Sequence, residues 1–116
     1  MSRDDASLLD IARAARLIID FLHAVSKQDF MADLKTQSAV LHQLMVIGEA
    51  VKRLSTELRK QHPETPWMLI AGMRDRLIHG YDTVDLDQVW VTATRNIPEL
   101  LRNIEPLLSP ENEPIP

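Results

Sequence analysis

Leu8, Ile11, Ala15, Ile18, Leu22 and Val25 recur at alternating steps of three and four, the spacing that lines apolar side chains along one stripe of an α-helix. A first helix is expected from about Asp5 to Val25. Val40, Leu44, Ile47, Val51, Leu54 and Leu58 repeat the pattern and predict a second helix from about Thr36 to Gln61, the longest in the chain. Between them, Asp29 to Leu34 reads as a turn or short helix. Met45, Val46 and Ala50 widen the apolar surface of the second helix, so that it faces two neighbours, either within the monomer or across a dimer. Core packing is the simpler of the two.

Thr65-Pro66-Trp67 reads as an N-cap followed by proline at the first helical position, where a missing N–H costs nothing. The third helix that follows would carry Trp67, Ile70, Arg74, Leu77 and Tyr81 on one broad face, with Gly80 as the left-handed residue that closes it. Asp85 with Gln88 marks the next start. Leu86, Val89, Ala93, Ile97, Leu100, Ile104 and Leu107 form the stripe of a fourth helix, which Pro98 should kink near Thr94. The expected fold is all-α: an antiparallel up-and-down four-helix bundle, with an extra short helix and a kinked last helix. Residues 1–108 read as a single domain and residues 109–116, Ser109 to Pro116, as a disordered tail.

Composition supports this architecture. The 116 residues are 45% apolar and only 4% aromatic, enough for one aliphatic core in one small domain. Three glycines are too few for the turn chemistry of a sandwich. The absence of cysteine removes disulfides and thiol chemistry and is compatible with a reducing compartment, so the cytoplasm is the expected location. No apolar run reaches the length of a membrane span, and the polar start Met1-Ser2-Arg3-Asp4-Asp5 lacks a signal-peptide pattern.

A net charge of −4 argues against strong non-specific DNA binding, which rests on many phosphate contacts. The charge is unevenly spread, however. Lys52, Arg53, Arg59, Lys60, Arg74 and Arg76 fall in the middle of the chain, while the segment after Tyr81 is mostly acidic. These cations form either a local basic face or ordinary solvated helix surfaces.

Within Met73-Arg74-Asp75-Arg76-Leu77-Ile78-His79-Gly80-Tyr81, a permanent cation suited to phosphate precedes a side chain that titrates near neutral pH, a minimal kit for phosphodiester cleavage. On an ideal helix Arg74 and His79 would be about 140° apart. They would meet through the length of arginine, a distorted last turn, or a two-fold dimer that brings copies together in one cleft. Asp75, one turn before His79, would accept a hydrogen bond from the imidazole and fix its tautomer. Each residue also has an ordinary structural use: a C-terminal cap for the histidine, a carboxylate partner for the arginine, packing for the tyrosine.

The segment Arg74 to Tyr81 resembles the Arg, four residues, His, any residue, Tyr signature of HEPN-domain proteins, specifically the HepT-like toxins. Ile47-Gly48-Glu49-Ala50, Pro66-Trp67, Val84-Asp85, Val89-Trp90 and Pro98-Glu99-Leu100 are similar to that family's pattern and cover roughly Asp5 to Leu107 in the right order. The resemblance implies a helical homodimer that acts as a metal-independent endoribonuclease on RNA. It also implies a partner, a minimal nucleotidyltransferase antitoxin of the MntA type. On this resemblance Arg74 and His79 are the catalytic pair, and Tyr81 carries the hydroxyl modified by adenylylation. The residue after the arginine is frequently Asn in the family and is Asp75 here, a carboxylate that would repel phosphate. A non-catalytic binding module that holds the nucleotidyltransferase or a nucleotide is the alternative.

No cofactor or metal is expected. Asp82, Asp85 and Asp87 fit no recognised magnesium loop, and His23, His42 and His62 have no partners at ligand spacing. Glu49 is expected to pair with an arginine across the bundle, and Trp67 and Trp90 to anchor helix packing.

Overall fold

The computed structural model describes residues 2–79 and 83–108. The tail expected at Ser109 to Pro116 lies outside the described residues, as do Gly80, Tyr81 and Asp82. Helix α1, Arg3–Phe21, opens with a capping box in which the Ser2 hydroxyl accepts from the Asp5 N–H, satisfying a donor that the helix leaves free. It ends about a turn earlier than its apolar stripe suggested. Leu22 and Val25 still pack against the core, but the chain reverses there through Ala24, whose φ of 59° is left-handed.

The short helix expected between the two long ones is α2, Lys27–Ala32. Helix α3, Leu34–Lys52, follows at once, with the Asp33 carboxylate accepting from the Thr36 N–H. Gln37, on the first turns of α3, is buried and donates from Nε2 to the carbonyls of Phe30 and Met31 at 2.9 and 3.1 Å. Both lie in the last turn of α2, where carbonyls lack i+4 helical donors, although the Asp33 N–H also donates to the Phe30 carbonyl at 3.2 Å.

The expected second helix, Thr36 to Gln61, is two helices. Helix α3 stops at Lys52, and α4, Thr56–Gln61, restarts behind the N-cap Ser55. The break is fixed from outside. Asp4 accepts from the Ser55 N–H at 2.8 Å and from its hydroxyl at 2.6 Å, tying the start of α4 to the first turn of α1.

Helices α5, Trp67–Ala71, and α6, Met73–Leu77, are separated by Gly72. The chain then extends as β1, Ile78–His79, which pairs antiparallel with β2, Thr83–Val84. Asp85 caps α7, Leu86–Val91, by accepting from the Gln88 N–H at 3.1 Å, as its spacing predicted. A π-helical stretch, Thr92–Asn96, joins α7 to α8, Ile97–Ile104, and a 3₁₀ turn, Glu105–Leu107, follows. The expected kink near Thr94 is this wide turn. Pro98 has no N–H for the Thr94 carbonyl and its ring would crowd it, so the helix opens to a five-residue bond, Ile97 N–H to the Thr92 carbonyl.

The result is the all-α bundle expected: α1, α3 with α4, the broken α5–α6 and the π-interrupted α7–α8. Helix α1 packs against α3 and α8, and α3 against α5 and α6. The stripes read from the sequence form its centre, including Ile11, Ile18, Val40, Ile47, Val89 and Ile104, each with no exposed surface. Phe30 is equally buried, and its ring centre stands 5.4 Å from that of Trp90, which attaches α2 to α7. Gly48 marks the closest approach to the broken helix, because a Cβ there would meet the carbonyl oxygens of Ala71 and Ile70 at 3.4 and 3.6 Å. Among the described residues no helix is long and apolar enough to cross a membrane.

Candidate active site at the end of a broken helix

The motif segment departs from the expected helix in a way that bears on its chemistry. A single helix from Trp67 would have put Arg74 on the face shared with Ile70 and Leu77. The buried stripe is instead Trp67, Ile70, Met73 and Leu77, spaced three and four apart, and Arg74, at its edge, is exposed. Thr65 is not the cap. It is buried, and its hydroxyl accepts from Asn103 Nδ2 at 3.4 Å, while Pro66 takes the N-cap position.

Helix α6 ends at Leu77, so His79 lies in β1, paired with Thr83, rather than in a last helical turn. Two readings change with it. The 140° separation of Arg74 and His79 held only for a continuous helix; a helix-to-strand junction now sets their relation. The spacing argument for a contact of Asp75 with His79 assumed that helix. The Asp75 carboxylate meets Arg74 Nη1 at 3.4 Å, with both side chains exposed. Tyr81 lies outside the described residues.

The segment is held at both ends. The Asp85 N–H donates to the Leu77 carbonyl at 2.8 Å. Trp67 anchors the start of α5, with its Nε1 donating to the His62 carbonyl at 2.9 Å. It is a packing residue, as its sequence setting suggested.

The cations of the middle segment divide into two groups. Lys52, Arg53 and Arg74 have carboxylate partners in Glu49, Asp10 and Asp75, each at 3.4 Å. Glu49 therefore pairs along its own helix rather than across the bundle. Arg59, Lys60 and Arg76 have no carboxylate at ion-pair distance among the described residues. Arg76 Nη2 donates to the Leu69 carbonyl at 2.8 Å.

Beside Arg76 lies a cavity of about 290 Å³ between the broken helix and the last one, lined in part by Gln88, Thr92, Asn96, Glu99 and Asn103. The sequence reading passed over these residues, although their steps of three and four mark one polar face of a helix. Among the described residues no cluster of three or more histidine, aspartate or glutamate side chains could hold a metal ion; Asp87 pairs with Lys27 at 3.0 Å.

Residues 11–107 match the family model described as Ribonuclease HepT-like. The chain is 44% identical over 100 residues to "Probable ribonuclease HepT" of Thermococcus cleftensis, covering 86% of this chain and 91% of that protein. It is 39% identical over 101 residues to "Putative RNase TTE0752" of Caldanaerobacter subterraneus subsp. tengcongensis, covering 87% and 90%. Over 103 residues it is 37% identical to "Putative RNase MJ0127" of Methanocaldococcus jannaschii, covering 89% and 85%. No solved structure matches the chain. With the family model spanning most of a helical bundle that carries Arg74, His79 and Tyr81 in the signature order, the chain belongs to the HepT-like ribonuclease family.

Proposed function

We propose that this protein is a metal-independent endoribonuclease toxin that cuts RNA at a homodimer cleft, with Arg74 and His79 as its catalytic pair. The observation that carries the reading is Arg74 itself. In a family of ribonucleases its guanidinium stands exposed on α6, opposed among the described residues by one exposed carboxylate at 3.4 Å, a contact weak enough for phosphate to replace.

Cleavage without a metal needs a base, an acid and positive charge at the phosphate. The base removes the proton of the ribose 2′-hydroxyl, and the 2′-oxygen bonds to the adjacent phosphorus. The bond from phosphorus to the 5′-oxygen breaks, and the acid delivers a proton to that oxygen. The products are a 2′,3′-cyclic phosphate and a 5′-hydroxyl. Arg74 stabilises the charge that grows on the non-bridging oxygens. One imidazole cannot be acid and base in the same step, so His79 and its two-fold mate divide the roles. DNA lacks the nucleophile, which restricts the reaction to RNA.

In this reading the partner is a minimal nucleotidyltransferase of the MntA type that adenylylates Tyr81, two residues beyond His79. An added phosphate and nucleoside would obstruct the cleft by charge and bulk. The cytoplasm is the compartment where toxin and antitoxin would meet.

The test is incubation of the purified protein with RNA in excess chelator, beside Arg74→Ala and His79→Ala. Cleavage by the wild type leaving cyclic phosphate ends, with a loss of at least about 10²-fold in each variant, is the expected result. Full activity in either variant would remove that residue from the chemistry. Absence of cleavage by the unmodified wild type would point to a binding module instead.

A further inference from the structure

We infer that the cavity between the broken helix and the last helix is a subsite for one unpaired nucleobase of the RNA, which gives the enzyme a sequence preference. The identity of the ligand rests on the ribonuclease reading; the existence of the site rests on its geometry.

Its size is one support. About 290 Å³ is near the lower end of ligand-site volumes, roughly 300–1,000 Å³, and suits a single ring system better than a folded nucleic acid element. Its lining is another. Gln88, Asn96 and Asn103 bring three carboxamides, Thr92 a hydroxyl and Glu99 a carboxylate to one wall, and Arg76 stands on the facing helix. Carboxamides both donate and accept, as the edges of nucleobases do. Glu99 would repel a phosphate placed beside it, but it can accept from a ring N–H or an exocyclic amine.

The wall is also shaped for access. Thr92 and Asn96 are the first and last residues of the π-helical stretch, and such wide turns recur at functional sites. Arg76 is fastened to a neutral carbonyl rather than a carboxylate, so its charge is available to a phosphate. Past Thr65, Pro66 and Leu69, which line both hollows, the surface continues as an open groove with Arg59 and Lys60 on its far side. Cations with no carboxylate partner among the described residues thus flank a polar pocket on both sides, the arrangement of a backbone track around a base site. Arg74 and Arg76 lie two residues apart in α6 and so point to opposite sides of it; an RNA strand that joins this subsite to the proposed scissile phosphate passes around that short helix.

Two measurements decide the matter. In the first, the unmodified protein is titrated with the four nucleoside 5′-monophosphates while the side-chain amide NMR signals of Asn96, Asn103 and Gln88 are followed. Saturable shifts whose midpoints differ between bases support the subsite, and unmoved signals with all four overturn it. In the second, cut ends from a random-sequence RNA are sequenced for the wild type, Asn96→Ala and Gln88→Ala, after thermal melts establish that both variants fold. The subsite predicts a base preference at one position near the cut, flattened in the variants with KM raised up to about tenfold per lost hydrogen bond and kcat little changed. A wild type that cuts without preference, or variants that keep it, would overturn the subsite and leave the nuclease intact. If the wild type cuts no RNA, the nuclease proposal fails and the titration alone judges the pocket.

Discussion

The backbone N–H of Asp85 donates to the carbonyl of Leu77 at 2.8 Å. This one bond joins the last residue of α6 to the residue that caps α7, and so closes the segment that contains His79 and Tyr81. Outside it, β1 and β2 contribute only two residues each. The catalytic histidine of our proposal thus sits in a short connection whose position depends on the helix ends at either side.

Asp85→Ala should therefore affect both stability and activity. Removing the side chain leaves the Gln88 N–H without its cap at 3.1 Å, a loss of about 1 kcal/mol. Urea denaturation should show that decrease for the alanine variant and a smaller one for Asp85→Asn, which keeps an acceptor. RNA cleavage well below the melting temperature should fall with the alanine variant, because the uncapped first turn of α7 frays and with it the position of the Asp85 N–H that holds the Leu77 carbonyl. An alanine variant as stable as the wild type would show that the cap contributes nothing.

Gly48 offers a test of how closely the motif helix packs. A Cβ there would stand 3.4 Å from the Ala71 carbonyl oxygen, an ordinary van der Waals distance, and alanine favours a helix over glycine by about 1 kcal/mol. Gly48→Ala should be neutral to stabilising in thermal melts. Gly48→Leu has no room before the α5 backbone and should be destabilised by about 1–3 kcal/mol or displace α5. A leucine variant that melts with the wild type would mean that α3 and α5 are farther apart than the structure has them.

The three long apolar stripes were legible because each depends on spacing alone, and most residues they name, from Leu8 to Ile104, are buried, with Leu22, Val25, Leu58, Leu86 and Leu107 partly so. Pro98 was legible as a distortion for the same local reason. The breaks were not. Helix α3 ends where Asp4, 51 residues away in sequence, captures Ser55, and no local pattern announces a partner so distant. Likewise Arg74 and Met73 both fit the spacing between Ile70 and Leu77, and packing gave the buried position to Met73. The motif could be read as chemistry, but its geometry could not, because that depends on where α6 gives way to β1.

Asp33 supplies a pH dependence with a defined sign. The Thr36 hydroxyl, first, and the Thr36 N–H, second, donate to its carboxylate and hold its pKa below the ordinary value. A pKa lowered by folding means that the stabilisation is fully present above the unfolded value, about 3.9, and is lost as pH falls through the folded one. Stability measured from pH 6 downward should therefore drop below about pH 4, and Asp33→Asn should flatten part of that drop while keeping an N-cap acceptor. An unchanged acid limb in Asp33→Asn would place the dependence elsewhere.

Tyr81→Phe separates regulation from catalysis. Phenylalanine keeps the ring and removes the oxygen that would accept adenylate, so the variant should cut RNA like the wild type yet resist silencing when the nucleotidyltransferase and ATP are added. Intact-protein mass spectrometry should show added adenylate on the wild type and none on the variant. Complete silencing of the phenylalanine variant would move the regulated hydroxyl to another residue.

Asp75→Asn tests whether the carboxylate beside Arg74 restrains the site. At 3.4 Å in solvent, with both side chains more than half exposed, the pair contributes at most about 1 kcal/mol. It nevertheless partly neutralises the cation that would meet phosphate and sets a negative charge in the path of the RNA. Removing that charge while keeping the size of the side chain should lower KM for RNA up to about fivefold, most clearly at low ionic strength, where exposed charges are least screened. The value of kcat should change little, since the guanidinium and the imidazole both remain. If Asp75 instead positions the catalytic groups, Asp75→Asn lowers kcat at every salt concentration, so the salt dependence of KM against that of kcat distinguishes a restraining carboxylate from a supporting one.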